Sequence, residues 1–335
     1  MKKKYHDKEL PLGLKERKGQ FLVLGRAGLD LYPHPEGSKI FSAHMFRSDL
    51  GGSAGNICVS LIRNGFSASL IGAISNDPVG KFVKEKLKEY GIGIKYLYET
   101  DGRMKTSLAL AEIRREECEV VIYRNNAADL DIQKEHLHKI NLASAKGLII
   151  TGTALSAEPS RSVVFELVES ANTEHCPVIF DIDYRKDAWS IEEAYDVYQK
   201  MLDFTDILVG NEEEFSVMFE NENNGTWVEQ TYPKSLLDSK IISIIKRGKK
   251  GCSIVSKSIN KAIDIYQVEE KKPFGAGDAF LGAFLARTAE GKSLAEAAQS
   301  GAASAAITVS RNGCASSIPT KEEIENFQTI RSRNN

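Results

Sequence analysis

The residues with most chemistry in them form one short stretch, Phe274-Gly275-Ala276-Gly277-Asp278-Ala279-Phe280. Two glycines flank an alanine and an acid follows at once. The apolar run that continues to Ala286 predicts a buried helix opened by the glycine turn. A helix start carries unpaired N–H groups and a partial positive charge, so it can hold an anion. Glycines at 275 and 277 let backbone come close to a phosphate. A carboxylate at Asp278 can take a proton from a hydroxyl beside that anion. Anion cradle and base together suit phosphoryl transfer to an alcohol. A buried helix merely capped by Asp278 is the equal alternative on these seven residues alone.

The elements that must position this stretch alternate. Residues 21–24, 68–74, 147–151, 178–182 and 207–210 read as buried strands, and helices are expected from the Gly51–Asn56 stretch to 64 and at 78–90, 160–172, 191–204 and 211–219. Asp77-Pro78 is a strong helix start. Strands alternating with helices predict an α/β fold with a largely parallel sheet covered on both faces. Segments at about 31–50 and 106–124 break that rhythm and are expected to stand apart as a small β-strand lid. Residues 1–20 read as a charged extension, 21–325 as one domain, 220–234 as a polar surface loop and 326–335 as a tail.

In such a sheet, ligands gather beyond the carboxyl ends of the strands. Asp30 follows the first strand; Asp181, Asp183 and Arg185 follow another; Asn211 and Glu214 follow a third; Gly248 and Gly251 follow the strand at 241–245. Gly51-Gly52-x-x-x-Asn56 could set bare backbone and an amide against a polyhydroxyl ligand, or be a tight turn. Glu214 could organise a magnesium–nucleotide complex through water, since Mg²⁺ keeps much of its hydration, or be an ordinary first-turn acid. Arg124 could grip a carboxylate bidentately or be an ordinary exposed arginine. Lys246, Lys249 and Lys250 could meet phosphates or form a solvated loop.

The 335 residues carry a net charge of −2, which argues against a nucleic-acid or anionic-membrane partner. No apolar run approaches the roughly 20 residues that span a bilayer. Five widely spaced cysteines without a C-x-x-C pair point to a reducing, cytoplasmic setting with neither disulfides nor a zinc site. Asn224-Gly225-Thr226 is a formal glycosylation acceptor that this setting leaves unused. The dinucleotide fingerprint is absent, so hydride transfer is disfavoured.

Gly51-Gly52-Ser53-Ala54-Gly55-Asn56 early and Gly275-Ala276-Gly277-Asp278 late, with Asn211-x-x-Glu214 and Gly248-x-x-Gly251 between, resemble the motifs of the ribokinase-like (PfkB) carbohydrate kinases. The resemblance spans about residues 20–325. Gly25-Arg26-Ala27-Gly28-Leu29-Asp30, Tyr123-Arg124-Asn125-Asn126 and Asp181-Ile182-Asp183-Tyr184-Arg185 are most similar to members acting on keto-deoxy sugar acids. The resemblance implies ATP-dependent phosphorylation of a terminal hydroxyl. The favoured acceptor is 5-dehydro-2-deoxy-D-gluconate, in myo-inositol breakdown, with 2-keto-3-deoxygluconate or another sugar as the alternative.

It also implies roles. Asp278 would be the base, and the N–H groups of Ala276, Gly277 and Asp278, following Gly275, the anion hole. Asp30, Gly51, Gly52 and Asn56 would bind sugar hydroxyls, and Arg124 and Arg185 the carboxylate or the transferring phosphoryl. Asn211, Lys246, Gly248 and Gly251 would serve the nucleotide, and Glu214 would serve Mg²⁺ through water. The requirements would be ATP and Mg²⁺, with room for a monovalent cation. A lid-mediated homodimer or higher homo-oligomer is the expected assembly. Pro273 departs from the family's usual Thr, removing a hydroxyl and a backbone donor. That departure makes a sugar-binding member with weakened catalysis the second alternative.

Overall fold

The computed structural model describes residues 13–114, 118–219 and 232–333. Residues 1–12, most of the expected polar loop with its Asn224-Gly225-Thr226, and the turn at 115–117 lie outside the described residues. In chain order the strands are β1 (Phe21–Leu24), β2 (Gly28–His34), β3 (Met45–Gly51), β4 (Ala68–Ser75), β5 (Gly93–Thr100), β6 (Leu108–Ala111), β7 (Val120–Tyr123), β8 (Gly147–Thr151), β9 (Val178–Asp181), β10 (Ile207–Asn211), β11 (Ile242–Lys246), β12 (Cys252–Ser256) and β13 (Ile259–Ile263). The helices are α1 (Ser53–Arg63), α2 (Pro78–Glu89), α3 (Ser160–Thr173), α4 (Ile191–Leu202), α5 (Glu212–Phe219), α6 (Lys234–Leu237), α7 (Ala276–Ala289), α8 (Leu294–Val309) and α9 (Lys321–Arg333).

Nine strands form the main sheet, in the order β13-β12-β11-β10-β9-β8-β1-β4-β5. From β11 to β5 every neighbouring pair is parallel; β12 and β13 turn back antiparallel at one edge. The central strands are buried throughout, as strands covered on both faces must be. The chain runs outward from β1 to β4 and β5, then returns to β8 and runs the other way. The sheet therefore reverses its winding between β1 and β8, the place where open α/β sheets take ligands at the carboxyl ends of their strands.

Two apolar cores fill the faces. One joins α1, α7 and α8 to the sheet through Ile57, Leu61, Phe280 and Phe284; the other joins α3 and α4 through Val164, Leu167, Tyr198 and Met201. Helices α1 and α7 pack almost backbone to backbone. A Cβ on Gly282 would stand 2.3 Å from the Ser60 Cβ, and the Ser60 hydroxyl donates to the Ala279 carbonyl at 3.0 Å. That approach fixes the first turns of α7 against the C-terminal half of α1.

The lid is a separate sheet in the order β3-β2-β6-β7. Its first two strands pair with Asp30 opposite Asp49 and Gly28 opposite Gly51. Four segments differ from expectation. β5 and β13 are edge strands with mixed exposure, too weakly apolar to stand out in sequence. The tail expected from 326 is instead the body of α9, where Phe327 packs edge-on against Tyr266 and the Arg331 guanidinium donates to the Gln267 carbonyl. Within the charged extension, Leu14 is fully buried in the α1–α7 core, Arg17 donates to the carbonyls of Leu142, Ala143 and Ala145, and the Lys146 N–H donates to the Gln20 carbonyl, so residues 13–20 pack at the amino-terminal ends of β1 and β8.

Candidate active site

Gly275 begins the site. It sits at φ +83°, a left-handed conformation that glycine adopts without strain, and a Cβ there would stand 3.3 Å from the Cys314 sulfur. The first hydrogen bond of the α7 ladder runs from the Ala279 N–H to the Gly275 carbonyl at 3.2 Å. The N–H groups of Ala276, Gly277 and Asp278 precede that ladder, and no side chain caps them. The capping alternative for Asp278 therefore fails.

The Asp278 carboxylate instead accepts from the Asn56 side-chain N–H at 2.8 Å, across 222 residues of sequence. Burial, together with the like charge of Asp183, pushes its carboxyl up to about 6, against the Asn56 hydrogen bond and the charges of Lys246 and Arg185. A carboxylate near that value is still ionised at neutral pH and is a better proton acceptor than an ordinary aspartate.

Around Asp278 the strand ends bring further groups together. Asp181 ends β9, Asn211 ends β10 and Lys246 ends β11, all on one edge of the sheet. The Lys246 ammonium stands 3.6 Å from an Asp181 oxygen, and a Cβ on Gly277 would be 3.0 Å from it. Lys246 thus faces the helix start, while Lys249 points outward toward Glu270. Burial raises both Asp181 and Glu214, and the Lys246 charge opposes each rise. Asn211 and Glu214 cap each other: the Asn211 N–H donates to Glu214 at 2.7 Å and the Glu214 N–H to the Asn211 side chain at 2.8 Å.

Asp183, at φ +35°, orients the next cation. Its carboxylate takes Arg185 at 2.6 Å, the Ser53 hydroxyl at 2.9 Å and the Thr153 hydroxyl at 3.3 Å. Arg185 is half-exposed and lies in the field of Asp278 and Glu214. Arg124 is differently placed. Its guanidinium donates to Asp129 at 2.5 and 3.1 Å, to the Thr153 carbonyl at 2.9 Å and to the Ser156 hydroxyl at 3.4 Å. No contact brings it to Asp278.

On the lid side, Asp30 explains Gly51: a Cβ there would fall 1.8 Å from an Asp30 oxygen. Gly52, at φ +91°, lies against the Arg26 carbonyl. The Tyr32 hydroxyl donates to one Asp30 oxygen at 2.9 Å; the other, like the Asn56 side-chain oxygen, is buried with no protein partner among the described residues. Such acceptors suit hydroxyl donors of a sugar. Gly248, at φ +53°, faces open space, whereas Gly251 is glycine because a Cβ would strike the Ile263 carbonyl at 2.0 Å.

Sequence reasoning passed over Lys272, which is 1% exposed directly behind the turn. It also gave no role to Ser53 and Thr153. Hydroxyl residues at the starts of helical segments after β-strands were the available signal for those two; for Lys272 there was none.

Residues 19–321 match the family model for pfkB family carbohydrate kinases. The chain belongs to that family. The kinase is 35% identical over 309 residues to a 5-dehydro-2-deoxygluconokinase of Photobacterium profundum, covering 91% of this chain and 93% of that one. It is 32% identical over 314 residues to a Bacillus subtilis protein of the same name, covering 92% and 96%. Its fold superposes on a putative ribokinase II from E. coli, solved with ATP and Mg²⁺, with a TM-score of 0.81 at 22% identity, over 93% of this kinase and 100% of that chain. Among the described residues, no helix is long and apolar enough to cross a membrane.

Proposed function

We propose that this kinase transfers the γ-phosphoryl group of ATP to the terminal hydroxyl of 5-dehydro-2-deoxy-D-gluconate, giving the 6-phosphate. One observation carries the chemistry: Asp278 is drawn off its own helix end by Asn56 and stands, with a raised pKa, beside uncapped N–H groups. The names of the relatives that align over nine-tenths of the chain support the acceptor.

Asp278 takes the proton from the acceptor hydroxyl as that oxygen attacks. The N–H groups of Ala276, Gly277 and Asp278 hold the transferring phosphoryl's oxygens, and Lys246 adds positive charge at the same place. Asp30 and Asn56 accept hydrogen bonds from sugar hydroxyls, with Gly51 and Gly52 leaving room. Arg185, braced by Asp183, reads the carboxylate, and Arg124 braces the wall behind it through Thr153 and Asp129. Asn211, Gly248 and Gly251 shape the nucleotide side. Glu214, tied to Asn211 at the end of β10, would face an ion through its water shell, since Mg²⁺ keeps much of its hydration. Mg²⁺ bound there would neutralise charge on the phosphates.

The lid supports an assembly. Phe41, Met45, Val121 and Tyr123 are 82%, 59%, 42% and 60% exposed, and β7 is an open edge. An apolar edge of this kind is suited to pairing with a second copy. Five free cysteines and the use of ATP favour the cytoplasm.

The test is a panel of sugar acids and neutral sugars in a coupled ADP-release assay. Highest kcat/KM on 5-dehydro-2-deoxygluconate supports the reading. Preference for 2-keto-3-deoxygluconate moves the substrate, and binding without ADP release indicates a sugar-binding member. Exchanging potassium for tetramethylammonium in the same assay decides whether a monovalent cation is required.

A further inference from the structure

Lys272 is among the largest fully buried side chains in the protein, and the phosphoryl-transfer scheme above gives it no task. Its ammonium donates to the Phe274 carbonyl at 2.7 Å and sits 5.0 Å from the centre of the Phe274 ring. A Cβ on Gly275 would be 3.4 Å from its nitrogen. The charge therefore lies on the protein side of the turn whose far side presents the α7 N–H groups. The backbone leading into it is tied down as well, since the Lys271 N–H donates to the Val309 carbonyl at 2.8 Å. The Cys314 sulfur and a Thr308 methyl close the remaining sides of Gly275.

A buried ammonium bonded to a neutral carbonyl is a poor way to stabilise a fold. Removing the charge from water costs several kcal/mol, and an apolar side chain of the same length would pack there without that cost. What the charge does supply is a field. An ammonium behind a row of N–H groups adds to their positive potential in a partly dry site, where a dianionic phosphoryl group has to be held. Its hydrogen bond also fixes the peptide that follows Phe274, which sets the direction of the Gly275 turn.

We propose that Lys272 is a positioning residue for phosphoryl transfer: it clamps the Phe274 carbonyl so that the α7 N–H groups face the cleft, and it supplies positive charge behind them. This rests on the kinase reading of the Gly275–Asp278 turn. The groups facing Lys272 fit the role. Burial lowers the Lys272 pKa, and the negative charges of Asp278 and Asp30 on the cleft side oppose that and favour the ammonium; Cys314 and Cys118 beside it are held as neutral thiols by burial.

The experiment compares wild type with Lys272→Met, which keeps the stem and removes charge and donor, and Lys272→Gln, which keeps a donor without charge. Expected for Lys272→Met is a roughly 100-fold fall in kcat, the usual scale for one oxyanion-stabilising group. The KM for the sugar acid stays within about threefold, the melting temperature is equal or higher, and amide exchange at residues 275–278 quickens. Lys272→Gln falls between the two. A kcat for Lys272→Met within about threefold of wild type, or unchanged exchange at the turn, overturns the proposal. So does a loss of kcat that tracks a lowered melting temperature in both variants. Amide exchange is read on the ligand-free protein, so it judges Lys272 even if wild type phosphorylates no sugar acid, a result that would defeat the kinase reading instead.

Discussion

Replacing Asn56 with leucine should move the pH dependence of this kinase in a known direction. The Asn56 N–H stabilises the charged form of Asp278 from 2.8 Å, and the wild-type carboxyl is held at about 6. A hydrogen bond to an ionised group contributes roughly 1.5–3 kcal/mol, which is about 1–2 pK units. Leucine keeps the volume and the dryness of the site while removing that bond, so the Asp278 pKa should rise to roughly 7–8. The base works only when ionised, so the rate falls as pH drops through this value. At pH 7 about nine-tenths of the wild-type base is ionised, against between about one-half and one-tenth in the variant. The assay is kcat/KM for the sugar acid from pH 5 to 9 at saturating ATP and Mg²⁺, since that ratio reports the nucleotide-bound enzyme that the sugar acid meets, in both proteins alike. Titration of the nucleotide is common to both proteins, so the difference isolates Asn56. An acidic limb that stays in place or moves down would refute the argument, because Asn56 would then not be acting on the group whose ionisation is required.

Gly275→Ala should lower kcat at least tenfold, because φ +83° strains any Cβ and the new methyl presses on Cys314 at 3.3 Å; a crystal structure would show the turn displaced. Arg185→Met should raise the KM for the sugar acid by roughly tenfold or more, the scale of a charge-assisted hydrogen bond, with the KM for ATP unchanged. If the ATP value moves instead, Arg185 serves the phosphoryl group. Val121→Glu should convert a dimer to a monomer in analytical ultracentrifugation; a wild-type monomer at micromolar concentration would remove the lid from consideration as an interface.

The layered fold was legible because strands buried on both faces are nearly uniform apolar runs, and those in the centre of the sheet stand out. β5 and β13 did not stand out because edge strands carry polar residues on their open sides. α9 was missed because its run of charges conceals the one face that packs on Tyr266. In the site, the glycines were legible because positive φ and close approach leave few other choices, as at Gly51, Gly52 and Gly275. Whether Asp278 caps its own helix was not, since that turns on a partner 222 residues away. Arg124 shows the converse. Its partner Asp129 lies five residues on, but only the fold reveals that they pair. Lys272 sits in a Lys-Lys-Pro run that reads as surface, and nothing local marks one lysine as buried.

The most direct measurement is turnover and melting temperature of Asp278→Asn at pH 8. The asparagine preserves shape and removes the ionised oxygen from a site where burial penalises it. ADP release should fall by about 100-fold or more, while the melting temperature is unchanged or rises. Turnover close to wild type, or a loss explained by a lowered melting temperature, would contradict the account of Asp278 as the base.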